Sequence, residues 1–222
     1  MNLVVFDFCE TLVNFQTANA FVNFVAERKK TWWSRFISKL EIVLMQSRFF
    51  AIVDRFFSKY NFSKRVNLMK IRGYKEFDIL NYANDYYNTI IRDNTLKLIV
   101  SELEKYVNQG DYVMIASGGY DVYLNKFAKD FGIKQVISTN IEFKKGKASG
   151  FYVDGKDCLF DEKVIQLNQF LNKNNLKFDK KIVFTDSITD LPLLMWANEA
   201  YVVSNRTTQT WPGKYNFKEI VL

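Results

Sequence analysis

Four short apolar runs constrain this chain more than any other feature: Leu3-Val4-Val5-Phe6, Tyr112-Val113-Met114-Ile115-Ala116, Gln135-Val136-Ile137 and Lys181-Ile182-Val183-Phe184. Runs of this length without polar alternation suit strands buried on both faces of a parallel sheet. Helical patterns separate them. Leu96, Ile99, Val100, Leu103 and Val107 recur at spacings of three and four, with Asn94 or Thr95 as the expected N-terminal cap and Gly110 as the stop. Val164, Ile165, Leu167, Phe170 and Leu171 mark a second helix beginning near Asp161. Alternating strand and helix predicts an α/β fold, a doubly wound Rossmann-like parallel sheet.

Between the first strand and position 95 lie about eighty residues that carry no strand signal, a single glycine (Gly73) and no proline. They read as a helical insertion. Residues 140–156 alternate in polarity and contain Gly146, Gly150 and Gly155, which predicts a β-hairpin. The expected organisation is a core of residues 1–14 and 94–222 with a helical cap at 15–93 inserted after the first strand. No stretch is apolar enough to span a membrane, because Lys39, Glu41, Arg48, Asp54 and Arg55 interrupt the most apolar region.

None of the 222 residues is histidine. Ser-His-Asp and Cys-His hydrolysis, histidine-ligated zinc and phosphohistidine chemistry are thereby excluded. Catalysis must run on carboxylates, lysine, hydroxyls, thiols or a metal. Two distant cysteines, Cys9 and Cys158, cannot build a disulfide scaffold and suit a reducing cytoplasm.

In open α/β sheets ligands bind beyond the carboxyl ends of the strands, and reactive residues gather there. The first run leads into Asp7-Phe8-Cys9-Glu10-Thr11, the second into Ser117-Gly118-Gly119-Tyr120, and the fourth into Thr185-Asp186-Ser187-Ile188-Thr189-Asp190; Lys163 sits near the start of the intervening helix. Asp7 can attack phosphorus and form an aspartyl phosphate. Attack by one anion on another needs a neutralising cation, and Mg²⁺ suits Asp7, the backbone carbonyl of Cys9 and Asp186. Ser117 and the Gly118 amide can donate to phosphate oxygens, and Lys163 can oppose charge on the transferring group, a role for which Lys147 and Lys156 compete. Asp190, four residues after Asp186, is expected to share a helical face with it and to orient Lys163 or a metal-bound water.

These four segments resemble the motifs of the haloacid dehalogenase superfamily, specifically its phosphoserine-phosphatase-like branch. The resemblance covers roughly residues 1–14 and 94–222, and implies a Mg²⁺-dependent phosphomonoester hydrolase with a helical cap over the active site. One position departs from the pattern: Cys9 stands where phosphatases of this family carry the aspartate that protonates the leaving group and then activates water. Loss of a positioned acid or base costs ~10²–10⁴ in rate. A weakly serving thiol, a substitute such as Glu10, a good leaving group, a different reaction class and a catalytically weak regulatory protein that keeps the phosphate pocket therefore all remain open.

The net charge of +7 is unevenly placed: residues 28–75 hold 13 basic residues against Glu41 and Asp54. Trp32, Trp33, Phe36, Ile37, Leu40, Val43, Leu44, Phe50, Val53 and Phe57 form an apolar stripe among them. One reading packs this stripe inside the cap with the charges as its wet face. The other rests it on an anionic membrane, so that a lipid phosphate joins small phosphorylated metabolites as a candidate substrate. Nucleic acid is disfavoured as a partner, since no recognised binding module accompanies the charge.

Overall fold

A computed structural model describes residues 1–47, 49, 53 and 61–222. Among these, six parallel strands form one sheet in the order β3-β2-β1-β6-β7-β8: β1 (Leu3–Phe6), β2 (Tyr112–Tyr120), β3 (Gln135–Thr139), β6 (Lys181–Thr185), β7 (Glu199–Ser204) and β8 (Lys218–Val221). All four side chains of β1 are fully buried. Val4 and Phe6 join an apolar cluster on one face, and Leu3 and Val5 join a separate cluster on the other. That two-sided burial explains why β1 reads as an unbroken apolar run rather than an alternating one.

Helices α1 (Thr17–Arg28), α2 (Trp32–Gln46), α3 (Phe62–Leu68) and α4 (Glu76–Tyr86) follow β1. A π turn at Tyr87–Ile91 and a 3-10 turn at Arg92–Asn94 then lead to α5 (Lys97–Asn108). Residues of α5 and of α6 (Asp121–Asp130) pack on the Val4/Phe6 face, while α7 (Asp161–Lys173) and α8 (Leu191–Trp196) cover the opposite face. The sheet is therefore doubly wound. Because β1 lies between β2 and β6, the chain leaves it in opposite directions, and the crevice at its carboxyl end opens beside Asp7.

Two sequence expectations need correction. Neither Asn94 nor Thr95 caps α5; its cap position is Leu96, without a side-chain bond. The reason is tertiary: Asn14 N donates to Asn94 O at 3.0 Å and Leu96 N to Leu12 O at 2.8 Å, so the two ends of the helical segment run side by side. Ser117 and Gly118, read as following the second apolar run, lie within the bulged end of β2, where the register with β3 shifts between Ser117 and Tyr120. Strands β7 and β8 have no counterpart among the four apolar runs. The predicted hairpin is present as β4 (Ile141–Lys144) and β5 (Lys147–Tyr152), turning on Lys145 and Gly146, both with positive φ as a tight hairpin turn requires.

Asp121, the first residue of α6, ties this hairpin to that helix by accepting a 3.1 Å hydrogen bond from Ile141 N. Burial raises its carboxyl from 3.8 to about 6. The native state thus binds this proton more tightly than the unfolded chain, so Asp121 lowers stability as pH rises from about 4 to about 6. Asp121→Asn keeps an acceptor and removes the charge. Its stability relative to wild type should rise across that interval and level off about 1–3 kcal/mol higher at pH 7, read by chemical denaturation at several pH values. A difference independent of pH would contradict this account.

Candidate active site

Asp7 follows β1 directly, with its amide bonded to Phe184 O of β6 at 2.8 Å, so the sheet itself sets its position. Its carboxylate meets Lys163, whose Nζ donates to Asp7 Oδ1 and to Asp190 Oδ2, both at 2.7 Å. Asp190 also accepts from Thr185 Oγ1 at 2.7 Å. All three charged side chains are buried. Lys163 reaches this point because it lies in the first turn of α7, whereas Lys147 and Lys156 are exposed. The sequence expectation for Asp190 is half right: it contacts Lys163, but Asp186 precedes the 3-10 turn Ile188–Asp190 and shares no helical face with it.

Asp186 lines the same cavity as Asp7, a space of about 150 Å³. Thr11 holds it, donating from Oγ1 to Asp186 Oδ1 at 3.1 Å and accepting from the Asp186 amide at 3.0 Å. Burial raises Asp7 to about 6, with the Lys163 charge opposing and Asp190 assisting. Burial and then the Asp7 charge raise Asp186 to about 7. Burial also works against the charge on Lys163, but Asp190 and Asp7 outweigh it and hold the ammonium above its usual range. A buried carboxylate whose proton affinity is raised further by a neighbouring carboxylate, as Asp186 is by Asp7, is a donor at which a divalent cation would restore charge balance. Asp7 and Asp186 offer hard oxygen donors of the type a divalent cation takes; no group of three or more His, Cys, Asp or Glu side chains that could hold a metal occurs among the described residues.

Ser117 and Gly118 border the cavity from β2, on the side of β1 away from β6 and Asp186. Ser117 is fully buried and its Oγ accepts from Gly119 N at 3.1 Å. Gly118 has a steric reason to be glycine, since a Cβ there would sit 2.4 Å from Leu159 Cδ2. Cys9 also lines the cavity, but its Sγ is engaged elsewhere, 3.1 Å from Thr17 Oγ1, which is in turn 2.7 Å from Tyr123 OH. Burial, then the Asp7 charge, pushes the Cys9 thiol up to about 11. Both cysteines are free thiols.

One residue at the site escaped sequence reasoning. Lys64, on α3, reaches into the cavity wall and donates to Gly118 O at 2.6 Å, Thr139 Oγ1 at 3.2 Å and Asp157 Oδ1 at 2.5 Å. Its side chain is 5% exposed and that of Asp157 2%. Lysine in a strongly basic segment reads as surface charge, and only the tertiary placement of Asp157 distinguishes it. Lys70 is likewise buried, paired with Glu41, so the basic residues of this segment are not all on a wet face.

The family profile of haloacid dehalogenase-like hydrolases matches residues 4–195. This chain belongs to that family. Within it the chain is similar to a histidinol-phosphatase of Neisseria meningitidis serogroup C, 20% identical over 91% of this chain and 90% of the relative. It is also similar to the phosphoserine phosphatase of Streptococcus thermophilus, 32% identical over 52% of this chain and 50% of that protein. A crystal structure of a protein of unknown function from Bordetella pertussis Tohama I shares the fold, with a TM-score of 0.81 at 17% identity over 99% and 97% of the two chains.

Removing one partner of the Lys64–Asp157 pair leaves a buried charge uncompensated. Lys64→Met should therefore lose about 3–5 kcal/mol of stability in denaturant titration, and Lys64→Met/Asp157→Leu should recover most of it. Equal losses in both variants would show that the pair is not the origin of the effect.

Proposed function

We propose that this chain is a Mg²⁺-dependent phosphomonoester hydrolase in which Asp7 is the nucleophile. The observation that carries the reading is the meeting of Asp7, Asp186, Lys163 and Ser117 on one buried cavity. In the first step an Asp7 carboxylate oxygen attacks phosphorus, the bond from phosphorus to the ester oxygen breaks, and the leaving oxygen takes up a proton. In the second, water attacks the aspartyl phosphate and regenerates Asp7 with release of inorganic phosphate. Asp7, Asp186 and the Cys9 carbonyl would hold Mg²⁺, which when bound neutralises charge between nucleophile and phosphate. Lys163 orients Asp7 and faces the transferring group, and Asp190 with Thr185 fixes Lys163. Ser117 and the Gly118 amide bind the phosphate oxygens.

The helices at 15–93 act as a cap that closes the site, with Lys64 as the residue that fastens α3 to the end of β2. Closure excludes water and restricts substrate size. A cavity of about 150 Å³ is below the usual range for drug-sized ligands, which supports a small phosphorylated metabolite. The names of the two relatives point to the same size class.

Mg²⁺-dependent phosphate release from an aryl phosphate is the direct test. Activity should vanish with chelator and fall to background in Asp7→Asn; an unchanged rate in that variant would remove Asp7 from the mechanism. Cys9 supplies one further distinction. A thiol turned toward Thr17 is a poor substitute for a carboxylate at the leaving group. Cys9→Asp should accelerate turnover of alkyl phosphates by about 10²-fold while changing aryl phosphates much less, because only the former need protonation. An equal effect on both classes would make position 9 structural.

A further inference from the structure

Helix α2 buries Ile37 but turns much of its apolar surface outward. Its inward residues include Ser34 and Glu41, the latter paired with Lys70 and accepting from Asn67 Nδ2 at 3.1 Å. Its outward face carries Trp32, Phe36, Leu40 and Val43, with Trp32 76%, Phe36 53% and Val43 59% exposed. Of the predicted stripe only Ile37 is fully buried; Trp33 and Leu44 are half-buried, Val53 is half-buried, and Phe50 and Phe57 lie outside the described residues. The reading that packed this stripe inside the cap is thereby overturned for its outer half.

Exposed cations adjoin this face. Lys30, Arg35 and Lys39 line a groove of about 360 Å³ between α1 and α2, and none of the three is in an ion pair with a described residue. Glu27 is the one carboxylate on that lining. The turn before α2 is tied to the start of α4 through Lys29–Asp78 at 2.7 Å and through Tyr74 OH bonded to Lys29 O. Beyond that junction a second patch repeats the composition: Phe77, 72% exposed, and Leu80 lie beside Lys75, Lys145 and Lys147.

We propose that the outer face of α2, with the adjoining lysines and arginine, is a docking surface for an anionic lipid bilayer. Aromatic and aliphatic side chains ringed by unpaired cations fit the boundary between acyl chains and anionic headgroups. At 15 residues α2 is about 22 Å long, and no described helix is long and apolar enough to cross a membrane, so it lies on the surface. The apolar face supplies insertion, and Lys30, Arg35 and Lys39 supply attraction to the headgroups. The proposal concerns where the protein sits and stands independently of the chemistry assigned to Asp7.

Sedimentation with vesicles of phosphatidylcholine alone or mixed with phosphatidylglycerol tests it. The wild type should sediment with the anionic vesicles, progressively less as salt rises, and stay in solution with phosphatidylcholine. Each basic residue near an anionic surface is worth about fivefold in partitioning. R35E/K39E should therefore lose at least about 25-fold, and W32S/F36S/V43S should also release the protein. Both variants should keep the wild-type circular dichroism and the wild-type rate on a soluble aryl phosphate. A wild type that remains in the supernatant with anionic vesicles at low salt overturns the proposal. So does a dimer by light scattering that W32S/F36S/V43S dissociates, which would assign the face to a second copy. Full binding by W32S/F36S/V43S would reduce it to charge adsorption and likewise overturn the insertion proposed here.

Discussion

A single buried ammonium organises the site. Lys163 lies between Asp7, at the end of β1, and Asp190, at the entry to α8, and donates to both at 2.7 Å. Each of the three groups would be costly to bury alone, and together they satisfy one another. The interaction therefore fixes the relative positions of three elements distant in sequence: the first strand, the helix that begins at Asp161 and the loop after Thr185. It also leaves an acidic excess, because Asp186 joins Asp7 on the same cavity with no second lysine between them. Lys163 thus holds the Asp7 and Asp190 carboxylates together, while Asp186 lines the cavity without a lysine partner among the described residues.

A similar constraint holds the helical segment in place. Lys64 binds the Gly118 carbonyl while Ser117 Oγ accepts from the Gly119 amide. Those two groups belong to the same peptide unit, so its plane is pinned from both edges. Through Asp157 the same lysine engages the loop that leads into α7 and Lys163. The helical segment, the end of β2 and the start of α7 thus meet at one buried ion pair. Its direction of charge perturbation, with burial lowering the Lys64 proton affinity against the pull of Asp157, shows how far the pair is removed from water.

The core was legible because its signals are local. All four apolar runs became strands, β2 extending four residues past its run, and the residues at the carboxyl ends of β1, β2 and β6 converge as the rule for open α/β sheets requires. Strands β7 and β8 were not read from the sequence: the apolar stretch Ala200-Tyr201-Val202-Val203 of β7 was passed over, and β8, at the sheet edge, has only Ile220 and Val221 as apolar residues. Thr95 was a reasonable cap by residue type, but the backbone there pairs with residues 12–14, and pairing across the base of the insertion decided the geometry.

The sequence by itself determined the class of fold, the absence of imidazole chemistry and the identity of most groups at the cavity, since strand burial and strand-end motifs are written in adjacent residues. Tertiary structure alone decided which lysines are buried at the cavity. Lys163 and Lys64 are chemically the same as the exposed Lys147 and Lys156. What separates them is the placement of Asp7, Asp190 and Asp157 from remote parts of the chain, and the free-energy cost of a buried charge depends on that surrounding field rather than on its neighbours in sequence. Likewise, only the packed structure could show that Trp32 and Phe36 of α2 face outward while Trp33 is half-buried.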